Sequence, residues 1–122
     1  MSKPSNLERP VVWIGSAKRD LMSFPEAVMR EMGYALSLAQ LGGLHPRAKP
    51  WKGLGSGVFE VVEDYNADTY RAVYTVRFKA VIYVLHAFQK KSPKGIKTAQ
   101  RDIDLIELRF KQALRDHEEH YG

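Results

Sequence analysis

The spacing of apolar positions along the chain predicts six elements in the order strand, helix, three strands, helix. Pro10-Val-Val-Trp-Ile-Gly15 is a short apolar run closed by glycine and predicts a strand. Val28, Met32, Ala35, Leu36 and Ala39 then recur at helical spacing, so one face of that segment packs inward. Ser23-Phe-Pro-Glu26 marks the helix start: Ser23 caps, Pro25 fits the first turn and Glu26 closes a capping box. Gly42-Gly43 ends it, because glycine takes the left-handed cap conformation without steric cost. Leu44 to Gly57 reads as a loop that delivers the chain into a strand, Val58 to Glu63.

Asn66-Ala-Asp68 is a turn signal leading into a second strand, Thr69 to Phe78. There Tyr70, Ala72, Tyr74 and Val76 share one face, while Arg71, Val73, Thr75 and Arg77 share the other. Ala80 to Phe88 follows with the apolar run Val81 to Leu85, the mark of a central strand covered on both faces. After Pro93 and Gly95, Thr98 is placed to cap a last helix with Asp102 and Asp104 in its first turns and a stripe of Ile103, Ile106, Phe110, Ala113 and Leu114. The expected fold is α+β: a small, mostly antiparallel twisted sheet with an N-terminal and a C-terminal helix packed on it, helix packing covering one face. The length, 122 residues, predicts one domain spanning 1–122, with polar Met1 to Arg9 fraying.

Charge changes this picture more than composition does. The net charge is +5 and the sequence pI about 9.5. No acid occurs from Thr69 to Arg101, where Arg71, Arg77, Lys79, Lys90, Lys91, Lys94, Lys97 and Arg101 supply eight positive charges. A second acid-free stretch, Met32 to Phe59, adds Arg47, Lys49 and Lys52. Such clustering suits a face that binds a polyanion, and equally a basic protein that meets nucleic acid only non-specifically. The absence of cysteine excludes disulfides, thiol nucleophiles and Cys-ligated zinc. No apolar run approaches the roughly 20 residues that span a bilayer, so a soluble cytoplasmic protein away from membranes is expected.

Candidate chemistry is sparse. Gly53-Leu-Gly-Ser-Gly57 precedes a strand rather than a helix and so lacks the helix N-terminus of a phosphate loop. His117-Glu-Glu-His120 sets two imidazoles one helical turn apart without a third ligand pattern, and no metal is expected. Arg71 sits in a strand opposite in pleat to Tyr70 and Tyr74, aimed at a phosphate or paired with an acid. His86, Phe88 and Lys90 alternate onto one face and supply a proton donor, a stacking ring and a phosphate contact.

These residues in this order resemble the RelE/ParE superfamily of bacterial toxins, nearest its HigB-like, phage-associated branch. The resemblance lies in Lys49-Pro-Trp-Lys-Gly-Leu-Gly-Ser-Gly57 leading into Val58-Phe-Glu60, in Tyr70-Arg-Ala-Val-Tyr74, and in Leu85-His-Ala-Phe-Gln-Lys-Lys91. Lys94-Gly-Ile-Lys-Thr98 before a helix with Asp102-Ile-Asp104 extends it, so that it spans roughly residues 10–115. The resemblance implies a RelE-like fold and the toxin of a type II toxin–antitoxin system. It further implies an endoribonuclease that cleaves mRNA in the ribosomal A site through the ribose 2′-hydroxyl, without metal or cofactor.

Under that resemblance Arg71 stabilises the transition state, and Lys49 and Lys52 orient substrate or act as base. His86 and Lys90 donate a proton, Phe88 stacks on a splayed base, and Lys91 and Lys94 hold RNA backbone. Glu60 is the alternative base, or a partner for Arg71. The implied partners are a HigA-like helix-turn-helix antitoxin, the ribosome and its mRNA, and operator DNA reached through the antitoxin. Two other readings stay open: a ParE-like toxin that binds DNA gyrase, and a non-toxic relative that only binds nucleic acid or an antitoxin-like partner.

Overall fold

The structure, a computed structural model, describes residues 8–90 and 98–122. Their order is β1 (Val11–Trp13), α1 (Ala17–Met22), α2 (Glu26–Gln40), β2 (Ala48–Pro50), β3 (Val58–Tyr65), β4 (Asp68–Thr75), β5 (Ile82–Lys90) and α3 (Gln100–His120). The strands form one sheet in the order β1-β5-β4-β3-β2. Only the β1–β5 pairing is parallel; the other three are antiparallel. The α+β class and the mostly antiparallel sheet are therefore as the pattern predicts.

The β3–β4 hairpin turns at Asn66 and Ala67, both at positive φ (50° and 69°), the geometry whose twist matches that of the flanking strands. Asparagine suits this conformation, whereas alanine bears a cost of roughly 1–2 kcal/mol there. The expected alternation along β4 holds: Tyr70, Ala72 and Tyr74 enter one core, and Val73 enters the other.

Helices cover both faces of the sheet, not one. Val28, Met32, Ala35, Leu36 and Ala39 of α2, with Ala17 and Leu21 of α1, pack on Tyr70, Ala72, Tyr74, Ile82 and Val84. Ile106, Phe110 and Ala113 of α3 pack on Val73, Tyr83, Leu85 and Phe88 across the sheet. Strand β5 thus lies between two helical layers, and this is why its apolar run is continuous. Of the predicted α3 stripe, Leu114 is exposed and Ile103 half-buried, while Arg109 takes an inward position.

Local expectations fail where a side chain finds a different partner. Ser23 does not cap α2; its Oγ donates to the Asp20 carbonyl at 2.7 Å and closes α1, leaving Pro25 at the α2 N-cap. Thr98 does not cap α3, which begins after Ala99. Strand β2 falls inside the predicted loop. It is three residues long and ends in Pro50, which lacks a donor and is tolerated because β2 is an edge strand. Arg9 does not fray: its guanidinium donates to the carbonyls of Ala39, Val76 and Phe78 at 2.9–3.3 Å. Residues 1–7 lie outside the described residues.

Candidate functional site

One irregularity in β5 decides where the candidate residues go. Val73 pairs with His86, but its neighbour Tyr74 pairs with Val84, so Leu85 is an extra residue in β5. Strict alternation would place Ile82, Val84, His86, Phe88 and Lys90 on a single face. The bulge separates them. Ile82 and Val84 stay with α1 and α2, while His86, Phe88 and Lys90 move to the α3 face, opposite Val73, Arg71 and Thr69. On the same face, Lys49 of β2 pairs with Glu60 of β3, which pairs with Val73. Lys49, Glu60, Arg71, His86, Phe88 and Lys90 therefore share one sheet face.

The helix α3 divides this face in two. In the covered part, Arg109 of α3 is 8% exposed and reaches the bulge. Its Nη1 donates to the Leu85 carbonyl at 3.0 Å and to His86 Nδ1 at 3.3 Å, and its Nη2 donates to Ser16 Oγ at 3.0 Å. Ser16 passes its own proton to Asp20 at 2.7 Å. Gly15, at φ +57°, makes the approach possible, because a Cβ there would stand 2.9 Å from Arg109 Nε. An arginine N–H can only donate, so His86 Nδ1 accepts, and the ring gives its Nε2 proton to Asp102 at 2.8 Å. Burial lowers the His86 pKa, opposed by the Asp102 hydrogen bond, and the ring is neutral at pH 7.

These contacts bear on two of the expected roles. His86 has both nitrogens hydrogen-bonded within the protein, Nδ1 to Arg109 and Nε2 to Asp102. Phe88 is 8% exposed and lies face to face with the His86 ring, centroids 4.8 Å apart, and with His86, Arg101 and Asp102 it lines a separate pocket of about 650 Å³. The pair His117 and His120 likewise finds local partners: His117 stacks on Phe78 and Tyr121, and His120 pairs with Asp116. Among the described residues no group of three or more acidic, histidine or cysteine side chains is placed to hold a metal ion.

The open part is different in kind. Arg71 Nη1 donates to Glu60 Oε1 at 2.7 Å, and Lys49 Nζ stands 4.0 Å from Glu60 Oε2. Both members of the Arg71–Glu60 pair are largely buried. Arg71 Nε is buried without a partner among the described residues. Burial first, then the Arg71 and Lys49 charges, lowers the Lys90 pKa, against the pull of Glu60. Lys49, Trp51, Lys52, Glu60, Gln100 and Ile103 line a groove of about 680 Å³ between β2 and the start of α3. Lys52 is exposed at its mouth. Lys91 and Lys94 lie outside the described residues. The arrangement gathers four cations around one carboxylate, a setting that attracts a phosphodiester and stabilises charge growing on it.

Sequence reasoning missed Arg109, Gly15 and Trp51 as parts of this region. A signal for Arg109 exists, since it stands three residues after Ile106 on the inward stripe. No sequence signal shows that Gly15 lies under its guanidinium.

Residues 19–111 match the family model described as "Phage derived protein Gp49-like (DUF891)". No curated protein matches the sequence. Among solved structures, the chain is similar to one in the crystal structure of the toxin–antitoxin complex RelBE2 from Mycobacterium tuberculosis. The identity is 19% and the TM-score 0.45, over 68% of this chain and 99% of that one.

Proposed function

We propose, from the premise that this chain belongs to the Gp49-like phage-derived family and with it to the RelE/ParE superfamily, that it is the toxin of a type II toxin–antitoxin pair and cleaves mRNA on the ribosome. The observation that carries the reading is the cationic cluster on this sheet face: Arg71 is fixed on a strand by Glu60 at 2.7 Å, and Lys49 stands 4.0 Å from the same carboxylate beside the groove.

In the proposed reaction the ribose 2′-oxygen attacks the adjacent phosphorus and the bond to the 5′-oxygen breaks. Glu60 accepts the 2′-hydroxyl proton. Arg71 stabilises the extra negative charge of the phosphorane-like transition state, with Lys49 and Lys52 on the flanking phosphates. Lys90 gives a proton to the departing 5′-oxygen, a task its lowered pKa favours. The products are a 2′,3′-cyclic phosphate and a 5′-hydroxyl. His86 and Phe88 hold the strand that carries Lys90. An antitoxin of the HigA-like helix-turn-helix kind, operator DNA bound through it, and a cytoplasmic setting complete the reading. Among the described residues no helix is long and apolar enough to cross a membrane.

The test is tightly controlled induction in bacteria with methionine and thymidine incorporation followed in parallel. The expected outcome is an early fall in methionine incorporation alone, with mRNA ends that map to cuts within codons. An early fall in thymidine incorporation would replace the nuclease with a gyrase-binding toxin. Continued incorporation of both, with soluble protein accumulating, would sink the toxin reading.

A further inference from the structure

Trp51 borders the α3-side core without being enclosed by it, and the cleavage chemistry gives it no role. Its backbone N–H donates to the Val58 carbonyl at 2.8 Å, which extends the β2–β3 pairing and fixes the residue. Pro50 before it narrows the backbone further. The side chain packs against the α3-side core yet stays half-buried, and it lines the groove beside Lys49, Lys52 and Glu60. Tryptophan is seldom enclosed completely, so half-burial alone does not mark a function. An indole that keeps a side in a cationic groove offers what single-stranded nucleic acid recognition uses, a fixed π-surface with phosphate contacts next to it.

The groove meets the reacting centre at Glu60, which both lines it and holds Arg71. Across it stands Gln100, whose amide nitrogen donates to Asp104 Oδ1 at 2.8 Å, while its carbonyl oxygen has no partner among the described residues. A volume of about 680 Å³ lies within the usual range for small-molecule sites. Phe88, the ring expected to stack on a base, stacks on His86 and does not line this groove.

We propose that Trp51 is the base platform of this protein: an unpaired nucleobase next to the scissile phosphate stacks on its indole. Gln100 Oε1 accepts from the amino edge of that base, and Lys52 holds the following phosphate. The inference rests on the RNA-cleaving reading above and assigns the groove as its nucleotide subsite.

The test uses the full chain with Trp13→Phe, which makes Trp51 the only tryptophan. The probe is a short single-stranded oligoribonucleotide with its 2′-hydroxyls methylated, so that it cannot be cut. Tryptophan emission is expected to be quenched as the RNA binds. Trp51→Leu, which keeps an apolar side chain against the core, is expected to weaken binding about tenfold, whereas Trp51→Phe stays within about threefold of the parent. Replacing the stacked nucleotide by an abasic one is expected to weaken the parent about tenfold and to add nothing in Trp51→Leu. Additive losses, unquenched emission or no salt-sensitive RNA binding would each overturn the platform. The two readings fail separately. RNA binding with these signatures in cells whose translation continues removes the nuclease and keeps the groove. Arrested translation with additive losses does the reverse.

Discussion

Arg71 and Arg109 face the same side of one sheet and meet opposite surroundings. Arg109 comes from α3 and is enclosed, donating to a backbone carbonyl, a neutral imidazole and a hydroxyl. Arg71 comes from β4, where one carboxylate answers it and its Nε answers to nothing among the described residues. Around Arg109 the donors and acceptors close on each other, with Asp20 and Asp102 at the two ends of the chain of contacts. Around Arg71, cations outnumber the single Glu60 carboxylate. The difference teaches that the identity of a charged residue says little until the cover above it is known. Under α3 an arginine becomes scaffold. Beside α3 it shares one carboxylate with a neighbouring lysine.

Exchanging the two roles is the sharpest way to break this comparison. Arg71→Ala is expected to lower mRNA cleavage by roughly 10²–10³-fold, as loss of a transition-state donor does, while a cooperative urea transition persists. Lys49 remains within 4.0 Å of Glu60 to limit the structural damage. A fully active, folded Arg71→Ala protein would refute its assignment. Arg109→Ala should show the reverse. Orphaning the acceptors Leu85 carbonyl, His86 Nδ1 and Ser16 Oγ is expected to cost about 3 kcal/mol of stability, read from the urea midpoint.

Two smaller effects sharpen the covered half. Gly15→Ala is expected to cost about 1–2 kcal/mol, through its positive φ and the collision with Arg109. Combined with Arg109→Ala the cost should be less than additive, since the collision is then gone. The smallest effect is one of pH. His86 has a folded pKa below its ordinary 6.5, so the unfolded chain binds more protons over that window. Stability should therefore fall as pH drops below about 6.5 towards the folded pKa and level off beneath it. Urea midpoints between pH 5 and 7 should show a shallower slope in His86→Gln than in the parent.

Most of the fold was legible because it rests on periodicity. The inward face of α2 is buried residue for residue as its helical spacing requires, and the β4 alternation assigns both cores correctly. What the pattern could not show depended on partners remote in sequence. Alternation alone puts His86 and Phe88 beside Lys90, and it does so correctly. It cannot tell which face they reach, because that depends on an extra residue in β5 measured against β4. Their solvent access depends on α3, sixteen residues beyond His86 at Asp102. Arg71 and Glu60, by contrast, were readable as a possible pair, since a hairpin turn of two residues brings them together.

The parallel pairing of β1 with β5 has a consequence for the order of events at birth. Val11 pairs with Ile82, so the first strand made must wait for the last strand of the sheet. At ordinary synthesis rates of 5–20 residues per second, that wait is roughly 4–14 s. The β3–β4 hairpin, carrying Glu60 and Arg71, needs no such delay and closes in roughly 1–10 μs once both strands are free. The arginine–carboxylate pair can therefore form, within a marginally stable hairpin, before Lys90 and the bulge arrive with β5. A chain interrupted before β5 would own half of its site and could not seat its first strand, so completion of the sheet and assembly of the site coincide in time.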